Sequence, residues 1–282
     1  KGRSPHLLVM SATPIPRTLA LIAYGDLDVS VIGELPPGRR PVETFLVSEA
    51  LRERLNGFIR RQCSEGHQVY VVCPAVEESE DGVLRSAEAW AQTLQQSVFP
   101  DLRVGLLHGK MKSAEKDAAL AAFSAGETDI LVATTVVEVG VDVPNATLMV
   151  IENAERFGLS QLHQLRGRVG RGKEKSYCIL LSDSRNEETR ARLKVMTQTN
   201  DGFVISQEDL RLRGPGDFFG QRQHGLPAMK IADLSCDMRL LDEAQTAARQ
   251  LMAQDPELTE PTHRALRDRI RQLFDTNADM LN

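Results

Sequence analysis

The sequence is short of cysteine and has no long apolar run. No stretch approaches the roughly 20 consecutive apolar residues that a membrane-spanning helix requires, so we expect no membrane partner. The cysteines lie far apart, and no pair has metal-ligand spacing, so buried free thiols in a reducing compartment are expected. There are four of them: Cys63, Cys73, Cys178 and Cys236. With 282 residues, 41% hydrophobic and 26% charged, the chain has the composition of a globular protein of one large or two modest domains.

A P-loop is also missing. Residues 167–174 read GRVGRGKE, but Glu174 stands where the pattern needs Ser or Thr to bind magnesium. The segment also follows a predicted helix and precedes a strand, whereas a P-loop joins a strand to a helix. Residues 242–245, DEAQ, resemble a magnesium-binding motif, but they lie within an amphipathic helix, where solvated charge is the better interpretation. The sequence therefore predicts no nucleotide site that is complete within this chain.

Basic charge is concentrated in one segment. The net charge of −5 argues weakly against a nucleic-acid partner. Between Arg156 and Lys175, however, there are six basic residues and one acid, Glu174. The local charge therefore favours an anionic ligand that the average over the whole chain conceals.

From Val42 onward, apolar runs alternate with amphipathic segments. Continuous apolar strands joined by helices predict an α/β fold, with a parallel sheet covered by helices on both faces. The predicted strands are Glu43–Val47, Gln68–Cys73, Arg103–Leu107, Asp129–Ala133, Thr147–Ile151 and Ser176–Leu181. The predicted helices between them are Glu49–Cys63, with Leu51, Leu55, Phe58 and Ile59 on one face, Leu84–Ser97, and Ser113–Phe123, capped by Ser113.

Ligands of such sheets bind beyond the carboxyl ends of the strands. Three polar stretches are expected there: residues 73–77, 108–111 and 134–144. By themselves, Thr134 and Thr135 favour a helix cap over a phosphate-binding site. The pair His108-Gly109 at a neighbouring strand end favours phosphate binding instead.

The segment Gln164–Arg171 carries the sharpest chemical signal. On a helix, Arg168 and Arg171 would share a face, and two guanidinium groups side by side favour an anion between them. Gly167 and Gly170 would weaken that helix by roughly 1 kcal/mol each, which indicates a close approach of another group. The alternative is a solvated basic face at a helix end.

Three segments resemble motifs of superfamily 2 helicases. Ser11-Ala-Thr13 resembles motif III, Thr134–Asp142 motif V and Gln164–Arg171 motif VI. The P-loop and DExH motifs of that superfamily belong to the first RecA-like domain. We therefore expect a fragment in which residues 1–41 end that domain and form a linker, 42–182 form the second RecA-like domain, and 183–282 form a helical C-terminal region.

The C-terminal region narrows the resemblance. Residues 199–225 resemble the TRG motif of RecG helicases and transcription-repair coupling factors. They contain GFVISQEDL followed by RLRGPGDFFGQRQ, and this sequence is more similar to that of RecG helicases. Gln221 and His224 depart from many relatives, and their roles stay open. A surface turn is the alternative interpretation of residues 213–216. Two alternative functions also remain: a transcription-repair coupling factor motor and a non-catalytic RecA-like binding module.

The resemblance assigns roles to individual residues. For ATP hydrolysis, it implies that Arg168 and Arg171 are arginine fingers that also bind the nucleotide. It places Gln164 in the catalytic set, and Gly140 and Asp142 in the nucleotide-binding set. For DNA contact and for linking the ATP and DNA sites, it implies Thr13, His108, Gly109, Thr134 and Thr135. For coupling cleft closure to DNA movement, it implies Arg192, Arg213 and Gln223.

The resemblance also implies a function for the parent protein. It would be an ATP-driven double-stranded DNA translocase that remodels stalled forks and Holliday junctions. Its expected partners are branched DNA, the preceding RecA-like domain and a wedge domain, with single-strand DNA-binding protein as a further candidate. ATP with Mg²⁺ would be held mainly by the preceding domain, so the chain alone is expected to be inactive. Its expected location is the bacterial cytoplasm, at the nucleoid.

Overall fold

The computed structural model describes residues 40–74, 87–134, 143–218 and 238–278, together with Leu8, Met10, Ser30 and Ile32. Motif III lies outside these residues. Among them, no helix has both the length and the apolar character needed to cross a membrane.

Six strands form one sheet in which every neighbouring pair is parallel. The strands are β1 Glu43–Val47, β2 Gln68–Val72, β3 Val104–Leu107, β4 Ile130–Ala133, β5 Ala146–Ile151 and β6 Tyr177–Leu181. Their order is β1-β6-β5-β2-β4-β3, so β1 and β3 are the edges. Every residue of β2, β4 and β5 is buried, as expected for strands covered on both faces. The predicted fold class is confirmed.

Eight α-helices lie in the described residues. They are α1 Arg52–Ser64, α2 Ala87–Thr93, α3 Ser113–Ser124, α4 Leu159–Arg166, α5 Glu187–Gln198, α6 Gly202–Phe218, α7 Met238–Gln254 and α8 Arg264–Ala278. The segment 94–98 continues α2 as a π-helical turn, and 3₁₀ turns occupy 49–51 and 154–156.

Two local predictions about helix starts were wrong. The helix predicted from Glu49 begins as a 3₁₀ turn, and Leu51 is 43% exposed instead of belonging to the buried face of α1. Ser113 is the first helical residue of α3, and Lys112 occupies the cap position before it. The side chain of Glu115 completes this cap, because its Oε2 accepts a hydrogen bond from the Lys112 N–H at 2.9 Å.

Alternating strand residues build a hydrophobic core on each face of the sheet. On one face, the strands pack against Leu55 and Ile59 of α1 and Trp90 of α2. On the other, they pack against Phe123 of α3 and against apolar residues of α4, α5 and α6. The three Leu residues of α4, at 159, 162 and 165, are all at most 2% exposed, which fixes this short helix firmly on the sheet.

The chain divides into two compact units, and the described residues up to Gly214 belong to the unit with the sheet. The second unit contains α7 and α8. The loop between these two helices is organised by Asp255, whose carboxylate accepts hydrogen bonds from the Thr259 and Glu260 N–H groups and from His263 Nδ1. The functional boundary predicted at residue 182 stays a prediction.

Candidate functional site

The carboxyl edge of the sheet brings together two of the predicted phosphate-binding stretches. β3 and β4 are neighbours, and the Thr134 N–H donates to Leu107 O at 3.1 Å, so the residues that follow the two strands lie side by side. His108 is 18% exposed in its side chain, and its Nε2 lies 3.2 Å from Glu88 Oε1. Gly109 O accepts a hydrogen bond from Lys116 Nζ at 2.9 Å. Backbone and side-chain polar groups are therefore concentrated at this edge.

A buried ion pair at the same edge was not predicted from the sequence. Arg52, at the start of α1, donates to both carboxylate oxygens of Glu152 at 2.6 Å, and Glu152 directly follows β5. Arg52 also bonds Glu49 and lies 5.2 Å from the centre of the Trp90 ring. Burial by itself would lower the pKa of Arg52, but the hydrogen bonds with Glu152 and Glu49 raise it above its ordinary value. The cluster fixes α1 to the end of β5.

The arginine segment is not helical, and this prediction was wrong. α4 ends at Arg166, and Gly167 is its C-cap. Gly170 has φ +75°, a left-handed conformation that favours glycine and ends any helical path. Arg171 Nε donates to Gly167 O at 3.3 Å, which holds a turn between the two predicted finger residues. The glycines therefore do not weaken a helix through the arginines; they shape a loop that follows it.

This arginine loop, residues 167–172, lies at the amino edge of the sheet. A Cβ atom added to Gly170 would come within 2.8 Å of Val42 Cγ2, and one added to Gly172 within 2.6 Å of Pro144 O. Val42 immediately precedes β1, and Pro144 lies two residues before β5. Arg168 and Arg171 are thus at the opposite edge from His108 and Thr134.

Several of the predicted site residues lie outside the described part of the chain. Gln164 is within it, partly buried on α4, and Arg168 is partly buried whereas Arg171 is exposed. The residues outside it are Thr13, Thr135, Gly140, Asp142 and Gln223. The backbone at Arg213 belongs to α6, which runs to Phe218, so the surface-turn interpretation of 213–216 was wrong.

Arg192, predicted to act in coupling, lies on α5 and contacts the segment before α4. Its Nη1 donates to Phe157 O at 2.5 Å and its Nη2 to Glu155 O at 2.7 Å. Buried backbone carbonyl groups need hydrogen-bond donors, and by supplying two of them Arg192 fixes this turn to α5. Arg192 therefore holds the start of α4 in place.

Arg166 is a second buried cation in this region, and sequence reasoning did not single it out. Its side chain is only slightly accessible, at 2% for the residue. Nη1 donates to Met196 O at 2.9 Å and to Thr199 O at 2.8 Å, and Nη2 lies 3.0 Å from His163 Nδ1. Burial lowers the pKa of Arg166. No residue-type pattern could have revealed this site, because its main acceptors are backbone carbonyls.

Within the described residues, Cys63, Cys73 and Cys178 are not joined by disulfide bonds, as predicted. Burial raises the pKa of Cys63 and of Cys178 to about 12, so both thiols stay protonated and unreactive at neutral pH. No group of three or more His, Cys, Asp or Glu side chains in the described part of the chain is arranged to hold a metal ion.

Two family models match different parts of the chain. Residues 49–173 match the helicase conserved C-terminal domain, and residues 199–281 match domain 3, C-terminal, of the ATP-dependent DNA helicase RecG. The first match covers strands β2 to β5 and the arginine loop, and the second covers α6, α7 and α8.

Curated relatives match almost the whole chain. RecG of Synechocystis is 55% identical over 258 residues, 92% of this chain and 31% of that protein. RecG of Bacillus subtilis is 49% identical over 96% of this chain and 40% of its own length, and RecG of Escherichia coli K12 is 52% identical over 91% and 37%. This chain belongs to the RecG helicase family. It spans about a third of the length of these RecG relatives.

A solved RecG structure, bound to a three-way DNA junction, matches the fold. The TM-score is 0.65 at 46% sequence identity, over 86% of this chain and 32% of that one. The likeness extends the family relationship from the sequence to the arrangement of the strands and helices.

Proposed function

We propose that this chain is the C-terminal motor portion of an ATP-dependent DNA helicase of the RecG type, which translocates on double-stranded DNA and remodels branched DNA. The observation that carries the proposal is the 49–55% identity to RecG proteins over more than nine tenths of the chain. The match of 199–281 to RecG domain 3 favours this motor over a transcription-repair coupling factor. The parent protein acts on stalled forks and Holliday junctions.

The amino edge of the sheet is the proposed nucleotide side. There, the loop from Gly167 to Gly172 presents Arg168 and Arg171 to the γ-phosphate of an ATP molecule bound to the preceding RecA-like domain. In phosphoryl transfer, charge spreads over the transferred oxygens, and an arginine supplied from across a cleft can raise the rate by roughly 10³–10⁵. Gln164 on α4 orients the attacking water, and Gly140 and Asp142 contact the nucleotide. Mg²⁺ is held by the preceding domain.

The carboxyl edge is the proposed DNA side. His108, Gly109, Thr134 and Thr135 contact the phosphate backbone there. Backbone N–H groups and hydroxyls at strand ends suit phosphate oxygens, and such contacts position DNA without selecting a base sequence. Thr13 links this side to the ATP site. Binding is therefore expected to weaken steeply as salt increases.

The helical region that follows the sheet is proposed to convert ATP-driven cleft closure into DNA movement. Arg192, Arg213 and Gln223 contribute to this coupling. The contacts of Arg192 with the turn before α4 support this assignment, because they tie α5 to the helix that leads into the arginine loop. The other proposed partners are the wedge domain and single-strand DNA-binding protein, and the proposed location is the cytoplasm.

The proposal is tested by comparing the full-length parent protein with this chain alone. The parent should hydrolyse ATP when a forked DNA is added and should unwind that fork, whereas this chain should show no turnover. In the parent, Gln223→Ala should keep DNA binding and most ATPase activity but stop unwinding.

Two results would contradict the proposal. One is ATP turnover by the chain alone that Arg171→Ala abolishes, because it would mean that a complete nucleotide site lies within these residues. The other is a parent protein that binds forked DNA without hydrolysing ATP, which would favour a non-catalytic module. Tight binding of the parent to RNA polymerase would instead favour the transcription-repair coupling motor.

A further inference from the structure

The end of α4 is joined to the start of α6 by a continuous set of contacts. Arg166 is the last residue of α4, two positions before Arg168. Its guanidinium donates to Thr199 O, and Thr199 is the C-cap residue that follows α5. Thr199 Oγ1 in turn accepts from the Asp201 N–H at 3.0 Å, and the Asp201 side chain accepts from the Phe203 N–H at 2.8 Å, in the first turn of α6.

A second contact joins the same two helices directly. A Cβ atom added to Gly202, the first residue of α6, would lie 2.8 Å from His163 Nε2. His163 is also the partner of the Arg166 guanidinium, which can only donate, so His163 Nδ1 accepts and the ring proton is on Nε2. His163 therefore touches Arg166 on one side and the start of α6 on the other.

The charge of Arg166 is stabilised without a carboxylate. No acidic residue in the described part of the chain forms an ion pair with Arg166. Its two carbonyl acceptors, Met196 O and Thr199 O, lie at the C-terminal end of α5, and Thr44 Oγ1 lies 3.4 Å from Nη1. The last carbonyls of a helix lack intrahelical partners and carry partial negative charge. Only a planar guanidinium can donate to these carbonyls and to His163 at once, and the single ammonium group of a lysine cannot span them.

We propose that Arg166 is a positioning residue that joins the arginine loop to α6, so that a displacement of the loop on ATP binding moves the start of α6. The proposal rests on the proposed function, because it assigns a mechanical role within that motor. Arg166 contacts neither nucleotide nor DNA in this account. It acts through His163 and the Thr199–Asp201 turn.

The test measures the coupling ratio, the number of base pairs unwound per ATP hydrolysed, in the full-length parent protein. Arg166→Lys and Arg166→Gln should each lower this ratio by about tenfold, while ATP hydrolysis falls by no more than about threefold. Arg190→Gln is the matched control, because Arg190 is an exposed residue of α5 that forms no ion pair with the described residues. This control should leave the ratio unchanged.

The coupling ratio separates positioning from folding. If Arg166 only stabilised the fold, both activities would fall in proportion to the folded fraction, and the ratio would stay constant; that result overturns the proposal.

Gly202→Ala provides a second approach should the Arg166 variants fold poorly, since its added methyl group displaces α6 from His163. Gly202→Ala should also lower the coupling ratio. The ratio of the double variant Arg166→Lys/Gly202→Ala should be at most about twofold below that of the more severely affected single variant. If the two losses instead multiplied in the double variant, Arg166 and Gly202 would act independently, which would contradict a single set of contacts between α4 and α6.

Failure of the proposed function gives a different result. In that case the wild-type parent itself would neither hydrolyse ATP on DNA nor unwind it. The contacts that join Arg166 to the start of α6 are then tested in this chain by hydrogen exchange. Amides 203–206 should exchange faster in Arg166→Lys than in Arg190→Gln, and equal exchange would overturn the inference.

Discussion

The two edges of the sheet differ in how their arginines are held. At the carboxyl edge, Arg52 is bound to Glu152 and Glu49 and covered by Trp90, so its charge is neutralised within the fold. At the amino edge, the loop after α4 carries Arg171 on an exposed turn that glycines shape. An arginine in a buried ion pair stabilises the fold, whereas Arg171 lies on the solvent-exposed surface of its loop. Charge alone therefore does not identify the functional edge.

The largest effect is expected from the amino edge. Arg171→Ala in the full-length parent should lower DNA-stimulated ATP hydrolysis about a thousandfold, because the proposed arginine finger would no longer stabilise the transition-state charge. The dissociation constant for forked DNA should change by less than about twofold, since the proposed phosphate contacts lie at the other edge. Steady-state ATPase assays and fluorescence anisotropy measure the two quantities. A parallel loss of DNA binding would contradict the assignment of nucleotide and DNA to opposite edges of the sheet.

The carboxyl edge should show the larger effect on stability. Arg52→Met leaves the Glu152 carboxylate, 3% exposed, without its cation, and should lower the free energy of unfolding by about 3 kcal/mol. Urea denaturation of this chain measures the change. Arg61→Met, on the same helix, removes only a solvent-exposed pair with Glu65 and should lower the free energy of unfolding far less. Equal losses would show that the Arg52 cluster is not structural.

A smaller effect is expected from the backbone of the arginine loop. Gly170→Ala places a methyl group 2.8 Å from Val42 Cγ2 at a residue with φ +75°, and should destabilise the chain by about 1–2 kcal/mol. Because the loop must shift, ATP hydrolysis by the parent should fall as well. Gly126→Ala is the control: its φ is +75° too, but no atom lies within 4 Å of the added Cβ. Equal ATPase losses in both variants would contradict the close packing of this loop.

The smallest effect concerns a residue remote in sequence from both edges. The hydrogen bond from His263, together with those from two backbone N–H groups, lowers the pKa of Asp255. A carboxyl group with a lowered folded-state pKa stabilises the fold above its unfolded pKa of about 3.9 and loses that contribution as the pH falls further. The difference in Tm between wild type and Asp255→Asn should therefore be constant from pH 7 to about pH 5 and shrink below about pH 4. A difference that grows on acidification would contradict this.

The sequence predicted the sheet well and the loops less well. Each strand was placed within one residue of its observed ends, because runs such as the five buried residues of β2 have one physical interpretation. The arginine loop was misjudged because the spacing of Arg168 and Arg171 also fits a helix, whereas α4 ends at Arg166 and Gly170 has a left-handed φ. The pair of Arg52 with Glu152 joins residues 100 positions apart, which no local pattern reveals.

The separation of the two edges is tested most directly by photo-crosslinking in the full-length parent. A benzophenone amino acid would replace Lys110 at the carboxyl edge or Lys173 beside the arginine loop, both of them exposed residues. With forked DNA and a non-hydrolysable ATP analogue bound, position 110 should crosslink to DNA and position 173 should not. Crosslinking of DNA from position 173, with none from position 110, would contradict the assignment of DNA to the carboxyl edge.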